Sequence, residues 1–111
     1  MRQVTEQSIK SLVKNIVDEF HPEFIYLFGS RARGEMREDS DVDLLIIVSE
    51  PFDKTHSRRM ELSRLWRLVA CFRLPVDVLL FSRNEVEEWR TSGSHVIGRA
   101  LREGRPLYAA A

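Results

Sequence analysis

Two aspartates separated by a single residue stand at the head of the most apolar segment of the chain. Asp41 and Asp43 open the stretch DVDLLIIV. Side chains at positions i and i+2 of a strand project from the same face, so the two carboxylates are expected to lie close together. Two like charges at that spacing repel each other unless a cation compensates them. Carboxylate oxygens are hard ligands, and the pattern therefore points to magnesium rather than zinc or iron.

A third acidic residue occurs inside another apolar run. Asp77 lies within VDVLLF, where a buried and isolated carboxylate would be costly. If the two predicted strands are neighbours, Asp77 can join Asp41 and Asp43. Three converging carboxylates predict a magnesium site that leaves coordination positions for water and for substrate phosphates.

A glycine-serine pair precedes these acids and has the features of an anion-binding turn. Gly29 allows backbone N–H groups to approach a phosphate, Ser30 adds a hydroxyl donor, and a helix opening there would add a favourable dipole. Arg31 and Arg33 are available for anionic oxygens. An anion-binding turn beside metal-binding carboxylates is suited to the transfer of a phosphoryl or nucleotidyl group.

Each of these features also has a purely structural interpretation. A single Gly-Ser turn is common, and an Asp-x-Asp pair often stands at the start of a strand. Arg33 could form a surface ion pair with Asp39 or Asp41, which would contribute little to stability. Asp77 could cap a neighbouring backbone amide. The functional interpretation depends on all of these features occurring together.

The elements that must position these residues follow from hydrophobic periodicity and turn signals. Apolar residues from Ile9 to Phe20 recur with helical spacing, with Thr5 as the predicted cap and Pro22 beyond the end. The predicted order is α-β-β-α-β-α-α with a short final strand, which makes a small sheet covered by helices. The predicted strands are 23–28, 41–48 and 75–81, and PLYA is a candidate edge strand. The later helical regions are 55–73, 82–89 and 96–101. The sequence does not decide whether the first two strands are parallel or antiparallel.

The bulk composition limits the class of protein. The 111 residues are predicted to form one domain over 1–111, with 17 basic and 17 acidic residues and hence no net charge. No apolar run is long enough to span a bilayer, and Cys71 has no partner for a disulfide, which together favour a cytoplasmic protein without membrane contact. Cys71 is predicted to be packed, and Trp66 and Trp89 to lie in the core or at an interface.

One segment departs from this neutral balance. Residues 54–73 carry six basic side chains against Glu61, a formal charge of +5. Such a run is usually a solvated helix face, but it could also meet an acidic partner or nucleic acid. The neutral chain as a whole argues against direct nucleic-acid binding.

The spacing of these residues closely resembles a known signature. GSRARGEMREDSDVD places ten residues between Gly-Ser and Asp-x-Asp, as in the DNA-polymerase-β-like nucleotidyltransferase superfamily and specifically its minimal nucleotidyltransferases. VDVLLF resembles the strand that carries the third acid of that family. The resemblance covers residues 23–81. It implies a mixed sheet flanked by helices and the transfer of a nucleoside monophosphate from an NTP to a hydroxyl.

The resemblance also implies roles for individual residues. Asp41 and Asp43 would hold two Mg²⁺ ions, while Asp77 would ligate the catalytic ion and help to deprotonate the acceptor. Gly29 and Ser30 would hold the triphosphate of ATP or another NTP.

Minimal nucleotidyltransferases are often antitoxins that adenylylate a tyrosine of a HEPN-type toxin, so the resemblance implies a protein partner of that kind. Only residues 82–111 follow the core, and the acceptor is therefore expected to come from another chain. Two alternatives stay open: a non-catalytic binding module that neutralises a partner by occlusion, and a small-molecule nucleotidyltransferase of the drug-modifying kind.

Overall fold

The structure is a computed structural model that describes residues 4–29, 42–89 and 96–110. The described residues form four helices and four strands in the predicted order. The helices are α1 (Glu6–Phe20), α2 (Arg58–Ala70), α3 (Arg83–Trp89) and α4 (Val96–Glu103). The strands are β1 (Phe24–Phe28), β2 (Val42–Val48), β3 (Val76–Ser82) and β4 (Arg105–Ala109). Within these ranges, no helix combines the length and the apolar character needed to cross a membrane.

The strands form one mixed sheet in the order β3-β2-β1-β4. The antiparallel pairing of β1 with β2 settles the orientation that the sequence left open. β2 and β3 are parallel, with helix α2 making the crossover between them. β4 pairs antiparallel with β1 and is an edge strand, as predicted for PLYA. The predicted mixed sheet with flanking helices is therefore confirmed.

Helices cover both faces of the sheet, and the alternation of side chains along β2 shows how. Leu44 and Ile46 face α1 and α2, where they pack in the larger core cluster. Leu45 and Ile47 face α3 and α4 and pack with Val86 of α3. All four β2 side chains are buried. A strand covered on both faces reads as an unbroken apolar run, which explains the sequence LLII.

The ends of the helices follow the polar signals in the sequence. The Thr5 and Ser8 side chains each accept a hydrogen bond from the other residue's backbone N–H and so form a capping box at the start of α1. α1 ends at Phe20, and its C-cap residue His21 has a left-handed backbone just before Pro22. Ser57 caps α2, so this helix begins three residues after the predicted start of the region at Thr55.

Three predictions about single side chains are corrected or narrowed by the structure. Cys71 is exposed rather than packed, and its Sγ–H donates to the backbone carbonyl of Arg67 over 3.4 Å. Trp66 and Trp89 are 39% and 41% exposed, so neither belongs to the core. The tryptophans were predicted to lie in the core or at an interface, and their exposure leaves the interface.

Candidate active site

Asp43 and Asp77 are register partners on the neighbouring parallel strands β2 and β3. Each is the second residue of its strand, so both lie at the same end of the sheet. Cross-strand partners point to the same face and stand about 4.8 Å apart at the backbone. The sequence-based hypothesis that Asp77 joins the upstream acids therefore holds for Asp43.

The two carboxylates differ in exposure. Asp43 is half-buried, whereas Asp77 is exposed. The expectation that Asp77 is buried in an apolar strand is thus wrong, although its neighbours Val76 and Val78 are buried on the opposite face. Because Asp77 projects away from that core, its charge stays hydrated and is open to a ligand arriving from solvent.

Gly29 follows β1 and lies directly beside Asp43. Its φ of 76° is in the left-handed region, which glycine adopts without steric cost. A Cβ at this position would collide with the Oδ2 atom of Asp43. The glycine of the Gly-Ser pair therefore has two physical requirements here, a backbone angle and a close approach to a carboxylate.

Phe28 is a neighbour of the site that the sequence reasoning did not single out. It is the register partner of Asp43 on β1 and is half-buried. One row across the sheet thus reads Phe28, Asp43, Asp77 from β1 to β3. The feature of the sequence that could have identified Phe28 as a neighbour of the site is its position directly before the Gly-Ser pair.

Four of the predicted site residues lie outside the described residues: Ser30, Arg31, Arg33 and Asp41. Among the described residues, no three acidic, histidine or cysteine side chains come together as a metal site. Of the three aspartates predicted to bind metal, the structure describes Asp43 and Asp77. Two carboxylates at adjacent strand positions, one of them exposed, fit a hard divalent cation that keeps water and phosphate ligands.

The opposite end of β3 is held by a second set of charged groups. Burial alone would raise the pKa of Glu85, but hydrogen bonds from the Ser82 backbone N–H and from Arg58 outweigh it and lower the pKa below its ordinary 4.5. The Arg58 guanidinium also lies 5.0 Å and 5.3 Å from the ring centroids of Phe52 and Phe81. This cluster anchors α3 to α2 and to β3, and it belongs to the scaffold rather than to the site.

A mixed sheet with paired carboxylates beside a glycine turn agrees with the nucleotidyltransferase fold that the sequence motif resembles. The model of the family "Polymerase beta, Nucleotidyltransferase" matches residues 7–109. The chain belongs to this family.

Individual relatives agree with this assignment. A stretch of 44 residues is 41% identical to the candidate protein adenylyltransferase MntA of Haemophilus influenzae and covers 39% of each chain. The match thus spans less than half the length of that curated relative. The structure of a candidate minimal nucleotidyltransferase aligns with a TM-score of 0.57 and 27% identity, covering 91% of both chains.

Complexes also occur among the structural neighbours. The MntA–HepT toxin–antitoxin structure aligns with a TM-score of 0.57 at 19% identity, over 96% of this chain and 74% of the other. A tri-AMPylated Shewanella oneidensis HEPN toxin in complex with its MNT antitoxin gives a TM-score of 0.55 at 18% identity, over 96% and 74%. At these identities the likeness shows a shared fold.

Proposed function

We propose that this chain is a magnesium-dependent nucleotidyltransferase that transfers AMP from ATP to a tyrosine hydroxyl of a HEPN-type partner and thereby acts as an antitoxin. The observation that carries the proposal is the pairing of Asp43 with Asp77 on adjacent strands, with the backbone of Gly29 against Asp43. Carboxylates next to a glycine turn supply a cation site and a phosphate site that are close enough together to be occupied by one ATP molecule.

Asp41, Asp43 and Asp77 are the residues proposed to hold two Mg²⁺ ions. Asp43 would contribute to this site from its place between the glycine turn and Asp77. When bound, the ions would lower the pKa of the acceptor hydroxyl and neutralise the pyrophosphate that leaves. The exposure of Asp77 supports its place on the side from which the acceptor arrives.

The transfer itself is a single displacement at phosphorus. The acceptor oxygen forms a bond to the α-phosphorus of ATP, and the bond from that phosphorus to the oxygen bridging to the β-phosphate breaks. Pyrophosphate leaves with that electron pair, and Asp77 passes the hydroxyl proton to solvent. Gly29 and Ser30 would bind the triphosphate through backbone N–H and hydroxyl donors, and Arg31 and Arg33 would neutralise its oxygens.

The comparison structures support a protein acceptor. Toxin–antitoxin complexes of the same fold occur among the structural neighbours, and in one of them the HEPN toxin is tri-AMPylated. The relative from Haemophilus influenzae carries the name of a protein adenylyltransferase. These likenesses favour a protein acceptor over a small molecule.

The test is incubation of the purified chain with labelled ATP, Mg²⁺ and the product of the adjacent gene as the candidate partner. Mass spectrometry is expected to find the partner heavier by one or more AMP units, with the label on tyrosine. Asp77→Ala should abolish the added mass, and Asp18→Asn, which changes an exposed acid on α1, should not. If the partner stays unmodified but is still inhibited on binding, the chain is an occluding module and the proposal is wrong.

A further inference from the structure

The outward side of α2 carries large apolar and basic side chains together. Six residues at helical spacing form this surface, called here the α2 outer face: Arg59, Met60, Ser63, Trp66, Arg67 and Ala70, all of them exposed. Met60 is 72% and Trp66 39% exposed, which is unusual for side chains of this size. Trp, Met and Arg are the residue types that are enriched at protein interfaces.

The basic residues of this face differ from the other arginines of the helix in their partners. Arg58 pairs with Glu85, and Arg64 pairs with Glu61 and Glu19. Within the part of the chain that the structure describes, neither Arg59 nor Arg67 forms an ion pair. Their charges are therefore available for an acidic surface on another molecule.

A recess adjoins the α2 outer face. Between α1 and α2 lies a depression of about 350 Å³, whose lining combines the apolar side chains of Phe20, Leu68 and Phe72 with the charged side chains of Glu19, Arg64 and Arg67. Arg67 thus belongs both to the exposed face and to the wall of the recess. Strong interface contacts are typically made where an apolar side chain enters such a pocket beside a charged rim.

The α2 outer face is also placed where it can serve the candidate active site. α2 packs on the sheet face opposite the one that carries Asp43 and Asp77, so a molecule bound there leaves the carboxylates open. The C-terminal end of α2 leads through residues 71–75 into β3, the edge strand on which Asp77 is exposed. A partner held on Trp66 and Arg67 would therefore have to reach Asp77 around the β3 edge of the sheet.

We infer that the α2 outer face is the docking surface for the acceptor protein, which presents to it an acidic patch and an apolar side chain that enters the recess. This inference rests on the proposed function for the identity of the partner. It adds the surface that holds the partner and the chemistry that the partner must present.

The experiment compares two pairs of charge reversals. Arg59→Glu/Arg67→Glu alters the α2 outer face, and Lys10→Glu/Lys14→Glu makes the same charge change on exposed positions of α1. Binding of the adjacent gene's product, the candidate partner, is measured by calorimetry, with ATP affinity and melting temperature recorded for each variant. The first pair is expected to weaken partner binding about tenfold or more with ATP affinity unchanged, and the second pair is expected to leave it unchanged. Trp66→Ala should weaken partner binding without any reversal of charge.

The outcomes separate this inference from the proposed function. If the α2 variants bind the partner as tightly as the parent chain, or if the parent chain does not bind it, the docking inference is wrong. A partner that binds through α2 without receiving AMP would refute the proposed function and leave the docking surface standing. A labelled oligoribonucleotide is titrated in parallel, and loss of RNA binding alone in the α2 variants would assign the face to nucleic acid and overturn the inference.

Discussion

Gly29 lies so close to Asp43 that a Cβ could be added only if the Asp43 carboxylate moved. A Cβ on Gly29 would overlap the Oδ2 atom of Asp43, and the left-handed φ of 76° independently disfavours any other residue. The glycine is therefore coupled to the carboxylate as well as to the phosphates that it is proposed to bind. Mutation of each residue alone and of both together can therefore measure how strongly they are coupled.

Gly29→Ala is expected to lower both the stability and the nucleotide affinity of the protein. The left-handed backbone alone costs an alanine about 1–2 kcal/mol. The added methyl also displaces the Asp43 carboxylate from its position beside Asp77. Urea denaturation measures the first effect, and calorimetric titration with ATP and Mg²⁺ measures the second.

A double-mutant cycle with Asp43→Ala isolates the contact. Once the carboxylate is absent, the destabilisation by Gly29→Ala should shrink to the backbone term, so the two changes should be non-additive by about 0.5 kcal/mol or more. ATP affinity should stay weak in the double variant. Additive free energies would show that the carboxylate and the glycine do not compete for this space.

Asp43→Asn/Asp77→Asn is expected to abolish transfer activity and the magnesium dependence of ATP binding without harming the fold. Like charges directly opposite each other on adjacent strands destabilise a sheet. The variant should therefore melt at a slightly higher temperature than the parent in a low-salt buffer free of divalent ions. Added salt should reduce the difference because it screens the repulsion.

Asp18→Asn is the matched control for the carboxylate pair, since Asp18 is an exposed acid whose ion pair with Lys14 lies on the surface of α1. It should keep both activity and the magnesium response. A clear fall in the melting temperature of the Asp43/Asp77 variant without divalent ions would instead assign those acids a structural role.

Glu85→Gln is expected to remove part of the acid sensitivity of the fold. The folded-state pKa of Glu85 is lowered, so its contribution to stability is present above the ordinary value of 4.5 and is lost as the pH falls through the folded-state pKa. At neutral pH the variant should be less stable by about 1 kcal/mol, because the carboxylate caps the start of α3 and pairs with Arg58.

Urea denaturation at neutral pH and below pH 4.5 measures this effect, with the exposed Glu88→Gln on the same helix as the control. The difference in the free energy of unfolding between the parent and Glu85→Gln should disappear in acid. Glu88→Gln should have the same free energy of unfolding as the parent at both pH values. An unchanged gap at both pH values would mean that the ionised carboxylate does not stabilise α3.

Leu65→Ala and Trp66→Ala change adjacent residues of α2 and should differ sharply in their effects. Leu65 is fully buried in the larger core cluster, so its truncation should cost about 2–5 kcal/mol. Trp66 is exposed, so truncation to alanine should lower the free energy of unfolding clearly less, although a larger side chain is removed. Equal losses in denaturation experiments would place Trp66 in the core.

The sequence by itself determined the order of the elements and most of their ends. Thr5 and Pro22 mark the limits of α1, because caps and helix stops are local interactions between residues close in the chain. The apolar run of β2 marked a strand covered on both faces, since side-chain alternation is a property of the strand itself. The motif from Gly29 to Asp43, together with the strand of Asp77, resembles the nucleotidyltransferase signature, and the family match confirms that resemblance.

Only the tertiary structure decided which residues of different elements meet and which side chains face solvent. The pairing of Asp43 with Asp77 depends on the parallel register of β2 and β3, two strands that are joined through α2 and lie 34 positions apart at these residues. The exposure of Asp77, Trp66 and Cys71 contradicts the apolar character of their local sequence. Periodicity shows that a helix or strand has two sides, but the elements packed around it decide which side is buried.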